Sequence, residues 1–255
     1  MDLGPSTSRV LHHAVGFSRI LGAGLKVVHV GADDSADLRT RVFAECERAT
    51  PYEASIHEDS VILATGRVSD AIQQAAVQHG ATLLVVGSRG YGGIARLLLG
   101  STSEALLGVA TAPVLLVPPT DMDIVSMGDR PALTCGAVLA AVDPTEHCAR
   151  QLKMASEMAG LAAHPLHLLT VTHGRKTDHE ASQELRDHAH GLSPVKPRSL
   201  IVRRGDVAEE ISRCAVTEGA GLVVMGLRER PRGRPGIIAS AVLKTGRAFV
   251  LAVPC

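Results

Sequence analysis

Short apolar runs alternate along this chain with longer segments whose apolar residues recur at helical spacing. The runs are Leu25–Val30, Pro113–Pro118, Ala137–Pro144 and His167–Thr172. Continuous apolar runs of this length are typical of strands buried on both faces. Segments with helical spacing, such as Ser6–Leu21 and His147–Gly160, lie next to them. The alternation predicts an α/β fold on a parallel sheet.

The second part of the chain repeats the first at an offset of 139 residues. Gly66–Arg89 aligns without a gap with Gly205–Arg228, and 11 of these 24 positions are identical. In each copy a helical stretch stops at a glycine, Gly80 or Gly219, and an apolar run follows. We therefore expect two tandem domains, at residues 1–119 and 135–255, joined by a polar linker at 120–134.

The first copy lacks one element that the second copy has. Ala137–Pro144 predicts the opening strand of the second domain, whereas Met1-Asp2 lines up with Val142-Asp143, two residues beyond the offset of 139. The first strand of the first domain is thus expected to be missing. Our hypothesis is a start codon assigned too far downstream, which mass spectrometry of the native N-terminus would test.

Three glycines follow the apolar run that ends at Gly87. Gly87 and Gly90 permit a tight turn and close backbone approach, and Gly100 precedes a helix predicted from Ser101 to about Ala110. Ser101 and Glu104 have the spacing of a capping box. A helix start at the carboxyl end of a parallel strand suits a phosphate, but a plain loop and a capped helix explain the same residues. The sequence leaves both interpretations open.

Composition removes several function classes. The net charge is +0 and aromatic residues make up 2%, which disfavours nucleic-acid binding. No apolar run reaches the ~18–20 residues of a membrane helix, and no secretory signal is visible. The five cysteines are widely spaced, which is typical of a reducing cytoplasm, and the histidines match no metal-ligand spacing. We expect a cytoplasmic protein without a metal site.

The loop resembles the nucleotide-binding branch of the universal stress protein family. The shared pattern is Gly-x2-Gly-x9-Gly-Ser at Gly87, Gly90, Gly100 and Ser101, and the flanking Val85–Gly90, Leu97–Ser101 and Ala112–Pro118 are similar too. The resemblance implies two five-stranded, Rossmann-like parallel sheets of the adenine-nucleotide α-hydrolase type. By position, it implies a nucleotide site at Asp2, Val30, Gly87, Ser88, Arg89, Gly90, Gly100, Ser101 and Thr102.

The second copy departs from that pattern. Glu229 replaces the second glycine, and Ile237 aligns with Ser101, so a carboxylate and an alkyl group stand where the phosphates would lie. The loop also contains four arginines that could attract an anion, but without the glycine spacing of the first copy: Arg228, Arg230, Arg232 and Arg234. We expect the second domain to bind ATP weakly or not at all. Pairing of the domains through their last strands, as an internal pseudo-dimer, is implied by the resemblance.

The resemblance implies binding of ATP, or of AMP or ADP, with Mg²⁺, in stress response or signalling. No catalytic residue is predicted, because no general base or nucleophile stands out. Two alternatives remain at this level: a nucleotide-independent interaction module of the same fold, and a nucleotidyl-transferase of the related adenine-nucleotide group. Self-association is left open.

Overall fold

The computed structural model describes Gly4 and residues 6–50, 56–88, 99–172, 177–227, 237–244 and 248–254. The first half runs to residue 118 and alternates helices with strands. Its elements are α1 (Thr7–Leu21), β1 (Val27–Val30), α2 (Ala36–Ala49), β2 (Val61–Ala64), α3 (Val68–Gln78), β3 (Leu84–Gly87), α4 (Ser101–Leu107) and β4 (Val114–Val117). α2 and β2 were not predicted from the sequence.

The linker contributes two short strands, and the second half follows it. These elements are β5 (Val125–Ser126), β6 (Ala132–Leu133), β7 (Val138–Ala141), α5 (Ala149–Ala162), β8 (Leu166–Thr172), α6 (Asp178–Ala189), β9 (Ser199–Arg204), α7 (Val207–Thr217), β10 (Leu222–Leu227), α8 (Ile237–Lys244) and β11 (Phe249–Pro254). None of the helices in the described part of the chain has the length and apolar character needed to cross a membrane.

The two repeated glycines end their helices as predicted. Gly80 follows α3 with φ 58°, and Gly219 follows α7 with φ 65°. The N–H of Ala81 donates to the carbonyl of Ala76 at 2.8 Å, and the corresponding bond in the second copy is also 2.8 Å. This is the left-handed helix stop that glycine favours, because a side chain is strained there. The repeated sequence therefore folds into the same helix and strand twice.

One sheet of seven strands runs through both halves. Its order is β3-β4-β11-β10-β7-β8-β9, and all neighbours are parallel except β4 and β11. The last strands of the two halves pair antiparallel, with Leu115 opposite Leu251. Both residues are fully or almost fully buried. The edge that each half would otherwise expose is thereby covered by the other.

The described strands of the first half lie in two separate sheets. Among them β1 pairs with β2, in a two-stranded parallel sheet. In the second half β7 lies between β8 and β10, but no described strand lies between β1 and β3. A cavity of about 1190 Å³ is lined by both of these strands.

The linker is more than the polar connection that its composition predicted. Ile124, Val125 and Leu133 are 1–4% exposed and belong to the core beneath α1 and α5. α1 approaches this hairpin so closely at Gly16 that a Cβ would lie 2.2 Å from Cγ1 of Val125. The missing side chain at Gly16 allows that contact. The sequence analysis did not single out Ile124, Val125 and Leu133, because polar residues surround them in the linker.

Replacing Gly16 by valine should lower the free energy of unfolding by about 1–3 kcal/mol, because the added atoms overfill this contact. Gly24→Val is the matched control, since no atom lies within 4 Å of a Cβ there and φ is not positive. Urea unfolding of both variants measures the difference. Equal stability of the two variants would contradict the packing of α1 on the linker.

His13 joins α1 to the linker and to the second half. Its ring lies 4.6 Å from the Phe249 ring, its Nδ1 2.8 Å from the carbonyl of Arg9, and its Nε2 3.5 Å from an Asp123 carboxylate oxygen. Burial lowers the pKa of His13 to about 4. The folded protein therefore holds a neutral ring that the unfolded chain protonates near pH 6.5.

The free energy of unfolding should fall as the pH drops from 6.5 to 4. In this range His13 binds a proton in the unfolded chain but stays neutral in the folded protein. The loss attributable to this residue is about 3 kcal/mol over that window and levels off below it. His13→Gln should flatten this part of the profile in urea unfolding at successive pH values. A variant with the same slope as the wild type would disprove the contribution.

Candidate functional site

The candidate site lies where β1 and β3 end. Five of the nine predicted site residues line the same cavity of about 1190 Å³: Val30, Gly87, Gly100, Ser101 and Thr102. Parallel α/β sheets bind ligands at the carboxyl ends of their strands, and these residues occupy that end. Asp2, Arg89 and Gly90 lie outside the described residues.

Backbone hydrogen bonds hold together the two ends of the glycine loop. The N–H of Ser88 donates to the carbonyl of Val117 at 2.9 Å, and the N–H of Gly100 donates to the carbonyl of Ser88 at 2.8 Å. Ser88 is 3% exposed and is not among the residues that line the cavity. Its backbone anchors the loop, whereas the resemblance placed it on the ribose or the phosphates.

The predicted capping box is wrong. Gly100 is the N-cap of α4, with an extended backbone at φ −60° and ψ 144°, and no side chain caps the helix. Ser101 is therefore the first helical residue, one position too late for its hydroxyl to cap. The N–H of Glu104 donates to the carbonyl of Gly100 at 2.9 Å as an ordinary helical bond. The side chains of Ser101 and Thr102 are exposed at the rim of the cavity.

Ser103 connects the helix to the strand, a role the sequence analysis missed. Its hydroxyl donates to the carbonyl of Gly87 at 2.7 Å, and the residue is 5% exposed. This bond fixes the first turn of α4 against the end of β3. The signal in the sequence was a third hydroxyl in the Ser-Thr-Ser run, but nothing there showed which of the three would face inwards.

The charges around the cavity favour an anion over a cation. The titratable side chains among its described lining residues are those of Lys26, His29 and His79, and no carboxylate is present in that set. His29, which immediately precedes Val30, was also not singled out from the sequence. The amide N–H groups in the first turn of a helix have no acceptor within the helix. Amides and hydroxyls at the rim can therefore donate to an anionic oxygen.

The cysteines discussed next do not line the cavity. Burial raises the pKa of three thiols to about 11, which keeps them protonated and inert at neutral pH: Cys46, Cys135 and Cys214. Cys148 is also buried, with its Sγ 3.3 Å from Nδ1 of His188. The described residues contain no group of three side chains able to hold a metal ion.

The second half has counterparts of β1–β4 and a further strand, β7, at its centre. Gln151 of α5 donates to the carbonyls of Ala141 in β7 and Val224 in β10, at 2.8 and 3.0 Å, and so ties the two strands together. Ile237, 63% exposed, begins α8 where the first half has Ser101. Glu229 and the four loop arginines at 228, 230, 232 and 234 lie outside the described residues.

Sequence comparisons point to one family. The model of the Universal stress protein family matches residues 1–118. A protein of Thermus aquaticus, "Universal stress protein in QAH/OAS sulfhydrylase 3'region", is 36% identical over 107 residues, which are 38% of this chain and 78% of that protein. "Universal stress protein YxiE" of Bacillus subtilis (strain 168) is 41% identical over 56 residues, 22% of this chain and 38% of that protein.

Solved structures resemble the whole chain. A universal stress protein from Archaeoglobus fulgidus DSM 4304 covers 100% of this chain and 96% of its own, with a TM-score of 0.70 at 20% identity. A putative universal stress protein from Pseudomonas aeruginosa UCBPP-PA14 covers 96% of this chain and 87% of its own, with a TM-score of 0.65 at 19% identity. These likenesses concern the fold, and the relative from Thermus aquaticus supplies the sequence evidence. The chain belongs to the universal stress protein family.

Proposed function

We propose that the first half binds an adenine nucleotide, ATP or else AMP or ADP, at the carboxyl ends of β1 and β3. The single observation that carries the proposal is the convergence of Val30, Gly87 and Gly100–Thr102 on one cavity. These residues come from three separate stretches of the sequence. They are five of the six described members of the set that the resemblance implied, and the sixth, Ser88, does not line the cavity.

The chemistry of the rim suits a phosphate chain. Gly100 places no side chain at the start of α4, and the hydroxyls of Ser101 and Thr102 are exposed beside it. No carboxylate stands among the described lining residues to repel an anion. Apolar side chains of β1 and β3, such as Val30 and Val85, offer a surface for a purine ring. Mg²⁺ would then arrive with the nucleotide, since the described lining residues include no acidic ligand.

We propose a role in stress response or signalling through occupancy of this site, and not through turnover. The rim donates hydrogen bonds but presents no carboxylate base beside Gly100 among the described residues. We further infer that the two halves act as an internal pseudo-dimer. The antiparallel pairing of β4 with β11 supports this, because a change at the site can be transmitted through the shared sheet.

A nucleotide-independent interaction module is the second candidate. The observation that favours it is the long apolar wall of the cavity, which extends well beyond the rim along α1 and α3 to residues such as Phe17 and Ile72. Failure to bind ATP, ADP or AMP in a direct titration would select this candidate.

An aspartate at position 100 should show whether Gly100 leaves room for a phosphate or is an ordinary loop residue before a helix. Asn and Asp are equally good N-caps, and φ −60° and ψ 144° are open to any residue. Gly100→Asp and Gly100→Asn should therefore both keep or raise the melting temperature. Gly100→Asp should weaken ATP binding at least about tenfold more than Gly100→Asn, because only aspartate repels phosphate.

Isothermal titration with ATP and a thermal melt of each variant measure the two effects. Ser126→Ala, at an exposed serine of β5 that does not line the cavity, is the control for surface substitution. Equal affinities of the Asp and Asn variants would contradict a phosphate beside Gly100. They would leave the glycine as a loop residue before a helix.

The same titration should end at one nucleotide per chain. The second half places the apolar Ile237, at the start of α8, where the first half has Ser101. Native mass spectrometry in excess ATP should show a single adduct that Gly100→Asp removes. Two equivalent adducts per chain would contradict a silent second half.

A further inference from the structure

We propose that Cys148 is a site of oxidation by small hydroperoxides, activated by the imidazole of His188. Sγ of Cys148 lies 3.3 Å from Nδ1 of His188. The pair lies in the second half, and neither residue lines the cavity of the first half. The proposal therefore goes beyond the nucleotide proposal and does not depend on it.

The fold brings the two side chains together from separate helices. Cys148 is the N-cap residue of α5 and follows the loop after β7. His188 lies in the last turn of α6, 40 residues further along the chain. α5 packs on β7, and α6 packs on the neighbouring strand β8. Packing decides a contact between residues so far apart, which is why no local pattern in the sequence indicated it.

The second ring nitrogen of His188 fixes the direction of its hydrogen bond to the thiol. Nε2 lies 3.2 Å from the carbonyl oxygen of Pro144, in the loop that leads to Cys148. A carbonyl oxygen only accepts, so Nε2 carries the proton and donates it. In the neutral ring Nδ1 then holds a lone pair and accepts from the thiol of Cys148. The thiol proton therefore faces the base that can remove it.

The start of α5 provides a second feature that stabilises a thiolate. α5 is 14 residues long, and its first turn contains no acidic residue. The N–H groups of a first helical turn have no acceptor within the helix, and they carry a partial positive charge. Cysteines become reactive at helix N-termini and beside a protonated histidine. Cys148 combines both environments.

Three other cysteines allow a comparison within the same chain. Burial raises their pKa to about 11, and they are 0–3% exposed, against 4% for Cys148: Cys46, Cys135 and Cys214. Exposure therefore does not distinguish Cys148, but the ring of His188 does. The chain neighbours His147 and Ala149 are exposed, so an oxidant of two heavy atoms has a short way from solvent to the sulfur.

The reaction balances with a hydroperoxide as the oxidant. The thiol proton moves from Sγ to Nδ1 of His188, and the thiolate attacks one peroxide oxygen. An S–O bond forms as the O–O bond breaks, so the sulfur loses two electrons and the peroxide gains them. The leaving oxygen takes the proton back from Nδ1. Hydrogen peroxide thus yields water and a sulfenic acid at Cys148.

Peroxide labelling of the full-length protein tests the site against the other thiols. Cys255→Ser removes the terminal thiol, which lies outside the described residues. Hydrogen peroxide is added at neutral pH with dimedone, which traps sulfenic acids, and mass spectrometry of the peptides follows each cysteine. Cys148 should be labelled at least about tenfold faster than the three buried cysteines. Its larger thiolate fraction outweighs the lower nucleophilicity of a less basic sulfur.

Replacement of the histidine separates activation of the thiol from access to it. His188→Gln removes the base but keeps a polar side chain, and it should slow the labelling of Cys148 at least about tenfold. His190→Gln, at an exposed histidine just after α6, is the matched control and should leave the rate unchanged. Unchanged labelling of the three buried cysteines in His188→Gln shows that the packing of the helices is intact.

Ultraviolet absorption of the thiolate gives a second readout that needs no oxidant. At neutral pH the wild type should absorb more strongly than Cys148→Ser, and His188→Gln should reduce that difference. The proposal is overturned if Cys148 is labelled no faster than the three buried cysteines, or if His188→Gln leaves its labelling rate unchanged. Equal absorption of the wild type and Cys148→Ser would also overturn it.

Discussion

Strands buried between helices must find hydrogen-bond partners along both edges, and this requirement organises the molecule. An unpaired peptide group away from water costs free energy comparable to a lost hydrogen bond. β4 and β11 meet it by pairing with each other, which joins the halves in one sheet. β7 meets it between β8 and β10. In the first half no described strand lies between β1 and β3, and the cavity lies at that point.

The cavity joins two features that are usually separate. Its rim is the carboxyl end of a parallel sheet, where Gly100 leaves room and Ser103 fixes α4 to β3. Its depth is the interior of the sheet, between α1 and α3.

Much of the fold followed from local patterns. The repeat predicted α3 and β3 and their copies α7 and β10, because a left-handed glycine and a buried apolar run depend on few neighbours. The pairing of the last strands was also predicted correctly, since two apolar edges need cover. The site residues were implied as a set by the resemblance, and five of the six described members, Val30, Gly87 and Gly100–Thr102, line one cavity.

Errors arose where tertiary contacts decide. The capping box failed because Gly100, and not Ser101, takes the extended cap position. Ser88 was assigned to the ligand, but the bonds from its N–H to Val117 and from Gly100 to its carbonyl hold it below the loop. The linker looked polar, yet Val125 packs against Gly16 of α1. None of these contacts joins residues close enough in sequence for a local pattern to reveal it.

Amide hydrogen exchange with and without saturating ATP tests the central claim most directly, because each half serves as the control for the other. The account predicts that ATP slows exchange in residues 83–88 and 101–105 of the first half. It predicts no change in the corresponding residues 222–227 and 237–241 of the second half. Unchanged exchange in both halves, or equal slowing in both, would contradict a single nucleotide site at the ends of β1 and β3.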